Sequence, residues 1–297
     1  MGLKVSDVSS LETGRQIFNS YFEQIIDTSD EWIESRTGIK SRYFTDELPS
    51  DMAVRLGKQL RFDRDRVKMV LVSSFTNDLI LPSIAGRVHA RLDIPNGCFC
   101  MDINSACAGF LASMILAEKF LNENEQAILI AAEQTSTYVD PKDRGTSILF
   151  GDGCAGMVVE KNSKLWYSDE NTYDDEGCLL MSKGEMMYMQ GQKVFRFACS
   201  RVPESIERVL DKAGMTIDDI DYLVSHQAND RILDQIVKRV KIDDSRVLKN
   251  VSSHGNTSAA SIPILMDECK AVFKPGDKLL LTAFGAGLAI NSILMEW

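Results

Sequence analysis

The sequence predicts a layered α/β protein built from two related halves, and three observations lead there. Strand-like and helix-like runs alternate along the chain, as they do when helices cover the faces of sheets. A similar succession recurs in each half: a strand ending in small or polar residues, a helix, a strand leading to a chemically special residue, and an apolar strand closing on a Gly-rich turn. At 297 residues and 44% apolar content, the chain can bury the large core that such layers require.

In chain order, "DMAVRLGKQLRFDRDR" (51 to 66) supplies a helix and a turn, and "VKMVLVSSF" (67 to 75) is the first clear strand. Strands follow at 97 to 103, 126 to 134 and 153 to 161, with the helical "FLASMILAEKFLN" (110 to 122) between the first two of these. The stretch from 162 to 193 is the least patterned and reads as the connection between halves. Beyond it, "DYLVSHQ" (221 to 227), "VLKNVS" (247 to 252), "KLLLTAFG" (278 to 285) and "AINSILMEW" (289 to 297) read as strands, with the helical "DRILDQIVKRV" (230 to 240) after the first. The expected division is 1 to 161 and 162 to 297.

A net charge of −10 argues against non-specific binding to nucleic acid or anionic membrane, which need a basic footprint. The apolar runs fall short of the ~20 residues of a membrane span. Seven cysteines without metal-ligand spacing, and a beginning with no apolar signal segment, point to a reducing cytoplasm and to no metal site. Walker-type and dinucleotide motifs are missing, and "GDG" (151 to 153) reads as a tight turn that shapes a site.

Cys107 stands in "NSACAGF" (104 to 110), between a strand and a helix. Free cysteine most often serves as a small buried hydrophobe. A helix start, however, offers unpaired N–H groups and a dipole that lower a thiol pKa, and Ser105, Ala106, Ala108 and Gly109 leave room for a substrate. The residues alone leave both readings open. Of the three histidines, His89 lies in the helical "AGRVHARL" and reads as packing, while His226 ends a strand in "VSHQAN" and His254 precedes Asn256 in "SSHGNTSAASIP". Polar side chains gathered where strands end are typical of α/β sites.

"DTSDEWIESRTGI" (27 to 39), "NSACAGF", "DRGTSILFGDG" (143 to 153), "SHQAN" and "HGNTSAASIP" (254 to 263), in this order and at these distances, resemble β-ketoacyl-acyl-carrier-protein synthase III, the initiating condensing enzyme of dissociated fatty-acid synthesis. The resemblance implies the thiolase fold, a duplicated unit in α-β-α-β-α layers with two mixed, five-stranded-type sheets. It also implies a Cys-His-Asn trio at Cys107, His226 and Asn256. In such an enzyme the cysteine thiolate takes an acyl group from acyl-CoA, helped by oxyanion donors from the Cys107 N–H and from Ala286 in the "FGAGL" turn (284 to 288). Malonyl-acyl carrier protein then loses carbon dioxide while the histidine and asparagine donate to the enolate oxygen.

The resemblance further implies CoA contacts at Thr28, Trp32, Arg36 and Arg144, and carrier-protein docking at Arg196, Arg231, Lys238 and Arg239. It puts Leu81 of "DLILPSIAG" (78 to 86) where a homodimer partner's acyl pocket would be closed. No cofactor is expected, since the CoA thioester is a substrate. The alternatives are a related ketosynthase III-like acyltransferase of secondary metabolism with an unusual starter or acceptor, a papain-like hydrolase in which asparagine orients the histidine base, and a non-catalytic carrier-binding relative. The chain departs from the family in its opening, which lacks the usual "GTG" and proline and leaves the first strand unassigned. It is also shorter at 50 to 68 and 162 to 193, and "GLAINS" lacks the common tryptophan-glycine.

Overall fold

The computed structural model describes residues 2–174, 177–182 and 184–297. Its elements are β1 Gly2–Ser10, β2 Arg15–Phe18, α1 Ser20–Glu23, α2 Asp30–Thr37, β3 Ser41–Phe44, α3 Pro49–Gly57, β4 Val67–Ser73, α4 Ile84–Arg91, β5 Phe99–Ile103, α5 Gly109–Phe120, β6 Gln126–Glu133 and β7 Gly153–Asn162. They continue with β8 Trp166–Thr172, β9 Leu179–Leu180, β10 Tyr188–Met189, α6 Gly191–Ala213, β11 Tyr222–Ser225, α7 Asp230–Val240, α8 Val251–His254, α9 Ser261–Cys269, β12 Lys278–Gly285 and β13 Ala289–Glu296.

Two sheets carry the architecture. The first runs β1-β7-β6-β4-β5 and the second β11-β12-β13-β8. Both are mixed: β4 pairs parallel with β5 and β6, and β11 parallel with β12, while β1, β7, β13 and β8 run antiparallel to their neighbours. Strand periodicity explains the layering, because successive side chains point to opposite faces. In β6, Ala127, Leu129 and Ala131 enter the central core with α5 and α9, whereas Ile128, Ile130 and Ala132 enter the outer core with α3 and α4. In β12, Leu279, Leu281 and Ala283 join the same central core, and Leu280 and Phe284 join the core beneath α6 and α7. Near-continuous apolar runs such as "AILIAA" are therefore what a strand covered on both faces requires. The result is five layers: α3 and α4, the first sheet, α5 and α9, the second sheet, and α6 and α7.

Three differences from the sequence reading have physical causes. The opening residues do form a strand, β1, which lies at the sheet edge and bulges between Val5 and Asp7. The bulge interrupts the alternation that would have revealed it. "VLKNVS" is not a strand. Val247 makes only an isolated bridge to Leu223 and the chain enters α8 at Val251, so the second sheet has four hydrogen-bonded strands among the described residues. The 162 to 193 stretch is also more than a connection, because β8 pairs with β13 from Ala289 to Met295 and β9 with β10 forms a small ribbon.

Candidate active site

The C-terminal ends of β4, β5, β6 and β11 point toward one region, and each hands its chain to a functional residue. After β5 the backbone turns through a one-turn 3-10 helix, Ala106–Ala108, before α5 begins at Gly109. Ala106 holds φ +43° to make that turn, a left-handed value costing a non-glycine residue about 1–2 kcal/mol. The strain aims the next residue, Cys107, into a cavity of about 700 Å³ whose walls also include His226, Asn256, Phe284 and Gly285.

The approach of the "FGAGL" turn depends on glycine. A Cβ on Gly285 would stand 2.8 Å from the Cys107 backbone nitrogen and 3.1 Å from that of Ala108. Ala286 follows beside Cys107 on the wall of an adjoining pocket. Among the described residues, no backbone carbonyl takes the N–H of Cys107 or of Ala286.

His226 follows β11 and is almost completely buried. Its N–H donates to the Thr282 carbonyl at 2.8 Å, its ring meets Phe284 edge-on at 5.3 Å, and its Nδ1 lies 2.7 Å from the Ser261 Oγ. The Gln227 N–H also points to that oxygen, at 3.4 Å, and the arrangement suits a hydroxyl that accepts there while donating to Nδ1. The imidazole then carries its own proton on Nε2. Burial pushes its pKa down to about 3, so the ring is neutral at physiological pH.

Asn256 is fixed by the other half of the fold. Its N–H donates to the Leu149 carbonyl at 2.8 Å, and its carbonyl accepts from Gly151 N–H at 3.0 Å. Gly151 is required there, since a Cβ would lie 2.5 Å from the His254 carbonyl oxygen. Asp152, the centre of "GDG", accepts from Thr45 N–H, Ser136 N–H and the Ser136 hydroxyl; the segment is not the tight turn expected but leads directly into β7, which begins at Gly153. The Asn256 Oδ1 accepts from Ser258 N–H at 2.9 Å, leaving the amide NH2 to donate. Asparagine here does not orient the histidine, as a papain-like hydrolase would demand.

Beneath the trio lies a group the sequence reading missed. Glu133, at the end of β6, is fully buried and accepts from the Thr76 hydroxyl (2.8 Å), the Ser258 hydroxyl (3.1 Å), the Ser74 hydroxyl (3.2 Å) and Phe75 N–H (3.3 Å). Burial raises its pKa to about 7 against the effect of those donors. Cys107 itself lies at the edge of this buried polar group. Its side chain is half-buried, and burial pushes its thiol up to about 12, with the Ser258 hydroxyl lowering it and Glu133 raising it.

The remaining expected residues divide. Trp32, Arg36 and Arg144 line the far end of the 700 Å³ cavity. The Arg144 guanidinium sits 4.6 Å from the Trp32 ring centre, and that of Arg36 sits 5.9 Å from it. Helix α2 presents Trp32 because Ser29 caps it by accepting from Trp32 N–H, and Gly38 at φ +75° ends it. Thr28 does not line the cavity; its Oγ1 is buried without a partner. Leu81 is 85% exposed and takes no part in the pocket of its own chain. Arg196, Arg231, Lys238 and Arg239 are exposed on α6 and α7, and none is in an ion pair among the described residues. Arg231 stands at the cavity mouth over Phe195, whereas Lys238 turns into a hollow with Asp234, Asp243 and Asp244.

His254 pairs with Glu268 at 2.6 Å and lies outside the cavity. His89, Cys98 and Cys100 form the one group of three potential metal ligands found among the described residues, all within 4.8 Å, toward the end of β5 remote from Cys107. The pocket walls also include Leu179, Met181, Met187 and Met189 from the segment read as a bare connection. Its run of methionines was the available signal, since flexible apolar side chains suit an adaptable wall.

Comparison with known proteins agrees with this geometry. Residues 101–172 match the family model for 3-oxoacyl-[acyl-carrier-protein] synthase III, and residues 210–297 match that for its C-terminal part. The chain is 37% identical to the β-ketoacyl-[acyl-carrier-protein] synthase III of Paracoccus denitrificans, over 95% of each chain. The solved 3-oxoacyl-[acyl-carrier-protein] synthase III of Aquifex aeolicus superposes with a TM-score of 0.94 at 31% identity, over the whole of both chains. The priming β-ketosynthase of the R1128 polyketide pathway has the same architecture, with a TM-score of 0.90 at 28% identity, covering 99% of this chain and 96% of that one.

Proposed function

The chain belongs to the β-ketoacyl-[acyl-carrier-protein] synthase III family and is a thiolase-fold condensing acyltransferase of fatty-acid biosynthesis, and from that premise we propose how its residues divide the work. Cys107 attacks an acyl-CoA thioester, and the oxyanion is met by the N–H groups of Cys107 and Ala286. CoA leaves and the acyl group stays on sulfur. Malonyl-acyl carrier protein then binds and loses carbon dioxide, and the Nε2–H of His226 with the NH2 of Asn256 stabilises the enolate oxygen. The enolate carbon attacks acyl-Cys107 to give the β-ketoacyl product.

The observation that carries this assignment is the convergence of Cys107, His226 and Asn256 on one cavity, with both polar partners held as neutral donors. A base would instead need a free imidazole lone pair. Both half-reactions use thioester substrates and the chain's own groups, so no cofactor or metal is assigned to them. The Trp32 and Arg144 stack suits a CoA adenine, which would insert against the indole, with Arg36 nearby for the nucleotide, whereas Thr28 lies off the cavity wall. Arg196, Arg231, Lys238 and Arg239 offer an acidic carrier protein a basic face on an acidic molecule.

A homodimer is part of the same reading. The outer edge of β5 pairs with no strand among the described residues, and Phe99, Met101, Leu116 and Phe120 are exposed around it, an apolar strip suited to a second copy. Leu81 would then close the partner's acyl pocket. We read residues 1 to 161 and 162 to 297 as two thiolase-like halves; all strands of the first sheet precede residue 163 and all of the second follow residue 165, which supports that division. No described helix is long and apolar enough to cross a membrane. The thiols of Cys98, Cys100, Cys107, Cys154, Cys199 and Cys269 suit a reducing cytoplasm.

The test is incubation with malonyl-acyl carrier protein and a panel of acyl-CoAs, with mass spectrometry of the Cys107 adduct and of the product. An acyl adduct on Cys107 that chases into β-ketoacyl-carrier protein is the expected result. Product formed without that adduct would overturn the assignment.

A further inference from the structure

A second cysteine-bearing region lies at the end of β5 remote from Cys107. Cys98 comes just before this strand and Cys100 lies within it, and residues two apart on a strand share a face. Their neighbours Phe99 and Met101 are exposed, whereas Cys98 and Cys100 pack, half-buried, against the outer core under α3 and α4. His89, in the last turn of α4, reaches the same place. One donor atom from each of the three residues lies within 4.8 Å of the donors of the other two.

The seating of α4 on β5 explains this meeting. Asp102, two residues beyond Cys100 and on the same face of the strand, accepts from Ile84 N–H and Ala85 N–H, both at 2.8 Å. Those bonds fasten the first turn of α4 to the C-terminal part of β5, so the helix runs back along the strand and delivers its last turn to the two cysteines. Spacing along the chain led to the expectation of no metal site, because only the packing of α4 on β5 gathers the three residues.

The side chains are in a state to bind. Both thiols are free, and their contacts to carbonyls, Cys98 Sγ to Phe99 and Cys100 Sγ to Cys98, are long at 3.8 Å. His89 Nε2 lies 3.3 Å from the Pro95 carbonyl, an arrangement that suits a ring hydrogen on Nε2 and leaves a lone pair on Nδ1. A backbone carbonyl on the outer nitrogen is the usual support of a metal-bound imidazole. Two thiolates and an imidazole favour a borderline-soft cation over calcium or magnesium, which take oxygen donors.

We propose that His89, Cys98 and Cys100 bind one Zn²⁺ ion per chain, which fastens the last turn of α4 to β5 as Asp102 fastens the first. Tetrahedral zinc, with Zn–S about 2.3 Å and Zn–N about 2.0 Å, sets its donors about 3.5–3.8 Å apart, so the 4.8 Å limit leaves roughly 1 Å for the side chains to close. All three residues are half-buried, which gives water access to the fourth position. Binding exchanges the two thiol protons for the ion. The site shares no residue with the condensing machinery and does not depend on it.

The experiment starts from the full chain carrying Cys107→Ser, so that the reactive thiol cannot take the metal. The protein is stripped with a chelator and titrated with Zn²⁺ against a competing colorimetric chelator, with Co²⁺ in parallel. Zn²⁺ should bind with one-to-one stoichiometry and raise Tm, and Co²⁺ should give tetrahedral visible bands with thiolate-to-cobalt charge-transfer absorption. Cys98→Ser, Cys100→Ser and His89→Ala should each weaken Zn²⁺ binding by roughly 10²-fold or more, beyond the cost of losing an outer partner. Cys199→Ser with Cys269→Ser should change nothing. If a cysteine variant does not fold, His89→Ala on the half-exposed face of α4 decides the matter by the same titration. A folded parent without stoichiometric Zn²⁺ binding, a cobalt spectrum without thiolate absorption, or binding that survives His89→Ala or the joint loss of Cys98 and Cys100 would overturn the site.

Discussion

The Ser261 hydroxyl oxygen lies 2.7 Å from Nδ1 of His226, a hydrogen bond that ties the ring's tautomer to one serine. That oxygen also faces Gln227 N–H, and with its own proton donated to Nδ1 the ring keeps Nε2–H for the substrate. Ser261→Ala should therefore slow condensation by about 3- to 10-fold, the worth of one neutral hydrogen bond, while acylation by acyl-CoA stays near the wild-type rate. Separate measurement of the two half-reactions checks this; equal slowing of both would mean the hydroxyl only packs.

Removing the trio one member at a time should separate the chemistry in the same way. Cys107→Ser should abolish acyl transfer and condensation. His226→Ala and Asn256→Ala should still accept an acyl group on Cys107, yet lose roughly 10²- to 10³-fold in decarboxylative condensation, the usual cost of one oxyanion donor. A donor variant that condensed at the wild-type rate would refute the assigned roles.

Burial of neutral His226 also sets a pH dependence of stability. An unfolded histidine binds its proton near pH 6.5, whereas the folded one does so only near pH 3. Above pH 6.5 both states are neutral and stability is unaffected. Between pH 6.5 and 3 the unfolded state holds the extra proton, so stability falls as the pH falls, by up to about 1.4 kcal/mol per pH unit. Urea unfolding of wild type and His226→Gln across this range should show a shallower loss in the variant; parallel curves would mean that His226 is not desolvated in solution.

Much of this was legible in the sequence for a physical reason. Strands such as 126 to 134 and 278 to 285 are covered on both faces and written as unbroken apolar runs, and Cys107, His226 and Asn256 lie in small-residue turns at element ends. What stayed hidden depends on long-range pairing. β1 and β8 are edge strands rich in polar residues, whose strand character comes from the neighbours they pair with. Glu133 ends an ordinary-looking strand, and only the fold brings Thr76 and Ser258 to it.

The exposed arginines of α6 and α7 should act on encounter with the carrier protein. Arg196→Glu with Arg231→Glu should raise KM for malonyl-acyl carrier protein several-fold and leave acylation by acyl-CoA much less affected. Added salt should weaken wild-type docking, since exposed charges are screened over ~8 Å at physiological ionic strength. Arg231 is the more exacting choice because it also stands at the cavity mouth. Equal loss with both substrates would assign it to CoA.

Chain-length preference tests the partner-closed pocket. Ile80 and Leu81 are 74% and 85% exposed in the single chain, which is unusual for two large aliphatic residues in succession and fits side chains whose cover comes from a second copy. If Leu81 forms the floor of the partner's acyl pocket, its modest size leaves depth for primers longer or more branched than acetyl. Each additional buried methylene is worth about 0.8 kcal/mol, close to a fourfold preference. Leu81→Phe adds a planar ring at the floor and should shift the profile toward acetyl-CoA, with butyryl-, isobutyryl- and hexanoyl-CoA losing most, since a clash in a packed pocket costs about 1–3 kcal/mol. The measurement is kcat/KM for the four primers in both proteins, with the oligomeric state checked by sedimentation. A wild type confined to acetyl-CoA, or a phenylalanine variant that stays dimeric with an unchanged profile, would show that Leu81 is interface packing and that another side chain sets the floor.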